Sequence, residues 1–236
     1  VTIPMIGYVA ADKNGGGDVN QSSNYLQTRF RRMLPRKATK LSVSPNKNDA
    51  FVYADEMAFA VTRKFPGRPV WFALDNEPDL WDSTHARLRS AKLTYEELLG
   101  TSRTYAESLK RTVPNALVFG PASYGWNGYT TLQDAPDKAK GDFLEWYLDG
   151  MRRASRTYGR RLLDALDLHY YSEARGPSHR VVDDRNDVDT VAARVQSARS
   201  LYDPTYTETS WISQWSTNGP LVVIPRMRAK IAAKYP

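Results

Sequence analysis

The residues with the clearest capacity for chemistry are Asp75, Asn76 and Glu77 in the run Leu74-Asp75-Asn76-Glu77-Pro78. A carboxyl of this kind can hand a proton to a departing oxygen, as the cleavage of an acetal requires. To do so it must hold that proton at working pH, which apolar walls or a second carboxylate achieve. Pro78, Leu80 and Trp81 are apolar neighbours of Glu77 that suit the task. Asn76 can donate a hydrogen bond to a sugar hydroxyl beside the reacting carbon, where such bonds strengthen in the transition state. The plainer alternative for Asn-Glu-Pro is a loop start with a solvated Glu, so its meaning depends on the element that precedes it.

That element is the apolar run Val70-Trp71-Phe72-Ala73-Leu74, which reads as a strand buried on both faces. Similar runs at Ile3 to Val9, Ala116 to Phe119 and Leu163 to Tyr170 read as three more strands. Polar loops and amphipathic segments separate them, which argues for parallel strands with helical crossovers. A short helix is expected over Tyr25 to Leu34 and a longer one from Asn48 or Asp49 to Lys64. A capping box at Thr94 and Glu97 starts a helix to about Arg111. Asp142 and Glu145 start another to about Arg156, and further helices follow near Asp189 to Tyr202 and from about Pro225.

The fold class expected is therefore α/β, a (β/α)8 barrel. A full barrel takes about 250 residues, and more with long loops. The 236 residues thus correspond to roughly the central half of one partial catalytic domain, residues 1–236. The remaining strands are expected from the same protein. In such a barrel the functional residues lie at the C-terminal strand ends. Those ends carry Asp75, Asn76 and Glu77, then Ser123, Tyr124 and Trp126, then His169, Tyr170, Tyr171 and Glu173.

Composition narrows the chemistry further. The absence of cysteine excludes thiolate nucleophiles, thiolate metal sites and disulfides. The three histidines are widely spaced, which argues against a histidine zinc site. No apolar run is long enough to span a bilayer. The net charge of +7 is spread among acids with no long basic block, so nucleic acid is not the expected partner. The 14 Tyr and 6 Trp are better matched to ligands with flat apolar faces, and sugars are one such class.

Four runs then carry a resemblance: Pro4-Met5-Ile6-Gly7-Tyr8-Val9-Ala10-Ala11-Asp12-Lys13-Asn14, Leu74 to Trp81, Leu166-Asp167-Leu168-His169-Tyr170-Tyr171, and Ser210-Trp211-Ile212-Ser213-Gln214-Trp215. In this order, across nearly the whole chain, they resemble glycoside hydrolase family 44, a family of endoglucanases and xyloglucanases. The resemblance implies a retaining mechanism on β-1,4-glucan outside the cell, with cellulose, xyloglucan or xylan as the polymer. It implies Glu77 as general acid/base and Asn76 as a contact to the sugar before the scissile bond. Tyr171 would orient the nucleophile, and Trp211 and Trp215 would stack on sugar rings. For Trp215 in particular, the i, i+4 spacing from Trp211 leaves helix packing as an alternative. Trp81, Tyr124 and Trp126 are candidate sugar contacts. His169 is either a contact of the site or a satisfied interior histidine.

The family's nucleophile is a Glu in a Thr-Glu-Tyr run on a later strand, which implies a position beyond Pro236. Glu208, in Tyr206-Thr207-Glu208-Thr209-Ser210, reads instead as part of a polar loop before a helix. No cofactor is expected, although the resemblance allows a structural calcium, for which Asp134 and Asp137 are hard oxygen donors. Two other readings keep the fold. One is a non-catalytic sugar binder using Trp81, Trp126 and Trp211. The other is an inverting enzyme with Glu173 or Asp12 as second carboxyl, about 6.5–9.5 Å from Glu77.

Overall fold

A computed structural model describes residues 1–12 and 15–236; Lys13 and Asn14, the end of the first run quoted above, lie outside the described residues. The chain divides into two compact units, Val1–His169 and Tyr170–Pro236.

The first unit is built on a four-stranded parallel sheet. Its strands are β1 (Thr2–Ile3), β5 (Trp71–Leu74), β6 (Leu117–Tyr124) and β7 (Ala165–His169), in the spatial order β1-β5-β6-β7. The strands β5, β6 and β7 fall on apolar runs that predict them, whereas β1 meets the first run only at Ile3. Among the described residues the sheet is open, with β1 and β7 at its edges. Phe72, Leu74 and Val118 are fully buried on one face. On the other face Trp71 is 54% exposed and its ring stacks on Phe119, with centroids 5.3 Å apart. Helices α4 (Tyr95–Thr112) and α6 (Phe143–Tyr158) connect the strands, and Leu98, Leu109, Phe143, Tyr147 and Met151 are buried within the unit. The capping box forms as expected, Glu97 N donating to Thr94 at 3.1 Å and Thr94 N to Glu97 at 2.9 Å. β6 runs five residues past its expected end, with a cis Gly120–Pro121 bond and a register shift between Pro121 and Ser123 along it.

A second, three-stranded sheet holds β2 (Tyr8–Ala10), β3 (Phe30–Leu34) and β4 (Phe51–Tyr53) in the order β2-β3-β4. It corrects three expectations. The strand expected over Ile3 to Val9 is split between the two sheets. Pro4 has no N–H to give a ladder, Gly7 adopts φ +90°, and the Asp75 carboxylate takes the N–H groups of Met5 and Ile6.

The helix expected over Tyr25 to Leu34 is a single turn, α1 (Tyr25–Thr28), followed by β3. Here pairing on both sides of Phe30–Leu34 overrides a helical pattern. The buried Arg29 sits at this switch, donating to Asp12 at 2.6 Å, Ser22 at 2.8 Å and the Gly17 carbonyl at 2.9 Å.

The helix expected from Asn48 or Asp49 starts later, as α2 (Ala54–Lys64), because the aromatic and β-branched Phe51-Val52-Tyr53 joins the sheet. Two short helices, α3 (Trp81–Thr84) and α5 (Gly125–Thr131), follow the ends of β5 and β6 and were not anticipated.

The second unit carries α7 (Val188–Ser197), with Asp187 capping through Thr190 N at 2.9 Å, and α8 (Val223–Lys234). Trp211 precedes a π-helical turn over Ile212–Ser216. Among the described residues no helix is long and apolar enough to cross a membrane.

Candidate active site

The end of β5 is held in a strained path. Asp75 and Glu77 take φ +65° and +47°, and Ala122, at the end of β6, takes +55°. Each non-glycine residue in this region costs about 1–3 kcal/mol and persists only where its surroundings impose it. The restraints are specific. Asp75 accepts Ile6 N at 3.0 Å, Asn76 N at 2.8 Å and Met5 N. Glu77 N donates to the Ala122 carbonyl at 2.9 Å, and its own carbonyl accepts Leu80 N at 3.0 Å. Two strand ends are thereby joined through the backbone of one residue, Glu77.

The Glu77 side chain reaches the end of β7, where its Oε1 lies 2.7 Å from His169 Nδ1. When the carboxyl is ionised, Nδ1–H donates to it. When the carboxyl holds a proton on Oε2 for a departing oxygen, Oε1 is its carbonyl oxygen and still accepts Nδ1–H. One hydrogen bond therefore serves both states, as a proton-exchanging acid needs. The backbone of His169 is fixed in turn, because the buried Tyr129 hydroxyl on α5 donates to its carbonyl. His169 is thus a hydrogen-bond partner of Glu77.

Asp79 is a site residue that sequence reasoning missed. It is 5% exposed, and both its oxygens accept Tyr124 N, at 3.0 and 3.1 Å. Burial pushes its carboxyl up to about 7, with the Glu77 charge adding and the Tyr124 amide opposing. Gly128 makes room for it, since a Cβ there would come within 2.2 Å of Asp79 Oδ2. The signal in the sequence was the second acid, two residues after Glu77.

The other expected contacts of the first unit differ in placement. Asn76 is exposed, and Tyr124 and Trp126 are half-buried. The Trp126 indole N–H is buried without a hydrogen-bond partner among the described residues. Trp81 corrects an expectation: at 4% exposure its ring is part of the core and offers no open face for a sugar. Of the proposed second carboxyls, Asp12 is ion-paired with Arg29 at 2.6 Å.

In the second unit, Trp211 and Trp215 line one cavity of about 480 Å³ with Arg175, Gly176, Pro177 and Ser210. Trp215 is 81% exposed, so the helix-packing alternative fails for it. Trp211 Nε1 donates to Glu173 Oε2 at 3.2 Å, and Glu173 is ion-paired with Arg180. Tyr171 is 46% exposed. Glu208 lies in a loop, as expected, but is buried rather than solvated. Its Oε2 accepts Ser200 Oγ at 2.5 Å and Tyr170 OH at 3.5 Å, while Oε1 has no hydrogen-bond partner among the described residues. Burial, reinforced by the Glu208 charge, pushes the Tyr170 hydroxyl up to about 12.

The residues considered for calcium are otherwise engaged. Asp134 is ion-paired with Lys138. Asp137 pairs with Lys140 at 2.9 Å and accepts Tyr95 N at 2.8 Å, at the start of α4. No group of three or more His, Asp or Glu among the described residues is placed to hold a metal ion.

A carboxyl at the end of β5 and an imidazole at the end of β7, two strands apart in a parallel α/β sheet, thus come within hydrogen-bond distance. The sequence profile of glycoside hydrolase family 44 matches residues 1–174, and the chain belongs to that family. It is 42% identical to a beta-mannanase/endoglucanase A of Caldicellulosiruptor saccharolyticus and 38% identical to an endoglucanase A of Paenibacillus lautus. Both matches cover the whole chain, but only 19% and 35% of those relatives. Among solved structures it matches a Paenibacillus polymyxa family 44 xyloglucanase determined with xyloglucan, at TM-score 0.92 and 37% identity. It also matches a family 44 endoglucanase from Clostridium thermocellum, at TM-score 0.91 and 36% identity. The chain spans 48% of each of these two structures.

Proposed function

We propose that this chain is the acid-bearing part of an endo-acting, retaining glycoside hydrolase that cleaves β-1,4-glucan chains outside the cell. The observation that carries the proposal is the Glu77–His169 contact of 2.7 Å between the ends of β5 and β7. Glu77 protonates the glycosidic oxygen as the bond breaks. In the second half-reaction it takes a proton from the attacking water. Asn76, exposed beside it, contacts the sugar before the scissile bond. His169 holds the carboxyl in place through both steps.

A retaining enzyme needs a second carboxyl about 5–5.5 Å from the first. We assign it to a further strand of a (β/α)8 barrel. Two features of the first unit support that completion: the free edges of β1 and β7, and the half-open face on which Trp71 stacks against Phe119. The relatives' names, endoglucanase, xyloglucanase and beta-mannanase, support a β-1,4-linked polysaccharide as substrate. The exposed Trp215 and the adjoining cavity support sugar stacking in the second unit, with Tyr171 beside the nucleophile. Two carboxyls suffice for the reaction without a cofactor.

The test is Glu77→Gln in the full-length protein. Reducing-sugar release from carboxymethylcellulose should fall by roughly 10²–10⁴-fold. An aryl glycoside whose leaving group needs no protonation should lose far less in its glycosylation step. Activity on carboxymethylcellulose within a few-fold of the wild type would refute the assignment.

A further inference from the structure

The three-stranded sheet carries a second concave surface, and none of its lining residues belongs to the Glu77 group. It encloses about 440 Å³ between Tyr8, Phe30, Arg31, Arg32, Asn48 and Phe51. Strand register explains the grouping. Tyr8 lies opposite Arg32 in the antiparallel pair, and Arg32 lies beside Phe51 in the parallel pair. Directly paired residues project from the same face of a sheet, as do residues two apart on one strand. Tyr8, Arg32, Phe51 and Phe30 therefore share a face, three aromatic residues and one arginine. The Tyr8 and Phe30 rings meet edge-on with centroids 6.5 Å apart, and Phe51 is 38% exposed.

The two arginines set the ligand's chemistry. Arg31 donates to the Phe30 carbonyl at 3.4 Å, and neither Arg31 nor Arg32 forms an ion pair among the described residues. The neighbouring Arg29 shows the contrast, since it is buried and closed on Asp12 at 2.6 Å. A guanidinium is a planar fork that matches a carboxylate, and it stacks readily beside aromatic rings. Aromatic faces take the apolar face of a pyranose ring, and the Asn48 amide can serve ring hydroxyls. We propose that this pocket binds a uronic acid residue of the polysaccharide, its carboxylate on Arg32 and its ring against Tyr8 and Phe51. The inference rests on the polysaccharide function proposed above and adds acidic branches to the substrate class.

The full-length protein carrying Glu77→Gln, which spares the ligands from cleavage, serves for the test, by calorimetric titration with two oligosaccharides. One is a xylo-oligosaccharide bearing a single glucuronosyl branch, and the other is the same backbone unbranched. The acidic ligand should bind at least about tenfold more tightly. Arg32→Gln should remove that difference and leave the affinity for the neutral ligand unchanged. Tyr8→Ala should weaken the acidic ligand as well, and Arg32→Lys, which keeps the charge but loses the fork, should retain only part of the preference. Equal affinity for the two ligands, no binding of the acidic one, or a preference that survives Arg32→Gln would each overturn the proposal. So would tighter binding of a short single-stranded oligonucleotide, the other polymer that arginines and aromatic rings suit. Hydrolysis of neutral β-glucan by the full-length protein separates the two readings. If it is Glu77-dependent while the acidic ligand fails to bind, the pocket assignment alone falls. If there is no hydrolysis, the proposed function falls.

Discussion

Replacing Asp79 by Asn would isolate the energetic consequence of a buried carboxyl next to the proposed acid. In the folded chain burial raises this group from 3.8 to about 7. The sign follows from proton binding. Between those two values the folded state holds a proton that the unfolded state has released, so stability falls as pH rises through the interval. Three units at 1.36 kcal/mol each set the size at roughly 4 kcal/mol, fully present below about pH 4 and lost by about pH 7.5. Asn matches the shape of Asp, keeps an oxygen to accept Tyr124 N, and does not titrate. Urea unfolding followed by tryptophan fluorescence, at several pH values from 4 to 7.5, would report both proteins. The other shifted carboxyls, including the raised Asp55 and Asp75 and the lowered Asp134 and Asp203, are common to both and cancel in the difference. The wild type should lose stability relative to Asp79→Asn by a few kcal/mol across the interval. Parallel curves would refute the reasoning, because they would mean that Asp79 is ionised throughout and solvated.

Two further perturbations bear on the same scaffold. Gly128→Ala places a methyl group 2.2 Å from Asp79 Oδ2. It should cost about 1–3 kcal/mol and abolish the Asp79-dependent pH slope, both measured by the same urea series. Lys110, 4% exposed, donates to the Ala116 carbonyl at 2.8 Å and to Asp164 at 2.6 Å, and Asp164 in turn accepts Val118 N at 2.7 Å. Lys110→Met strands that carboxylate, just before β7, and should cost about 3 kcal/mol. A loss below about 1 kcal/mol in the unfolding midpoint analysis would mean that water reaches Asp164.

How much of this was legible in the sequence divides by the range of the interactions. The parallel strands were readable because Trp71–Leu74 and Leu117–Phe119 are short apolar runs bounded by loops. The start of α4 was readable because Thr94 and Glu97 satisfy each other over three residues. The three-stranded sheet was not. Phe30–Leu34 contains two arginines and one buried residue, Met33, so it lacks the alternation that marks a half-buried strand. Only its partners, 20 to 24 residues before it and 19 after it, make it one.

The site divides in the same way. Glu77 could be singled out because the chain places it directly after a buried strand. Asp79 could not, because its burial depends on Tyr124 N and on the space left at Gly128, both more than 40 residues away. Trp81 was misread for a related reason. An indole after a strand end serves equally well as a platform or as core, and only the packing of the whole unit places it at 4% exposure. His169 and Glu77 were each visible, but their 2.7 Å contact joins positions 92 residues apart. In a parallel α/β sheet every strand-to-strand bond is of this long-range kind, since a crossover separates neighbouring strands. The types of residue that do chemistry can therefore be read along the chain. The pairings that tune them, such as Glu77 with His169 and Asp79 with Tyr124, exist only once the crossovers α4 and α6 have set the strands side by side.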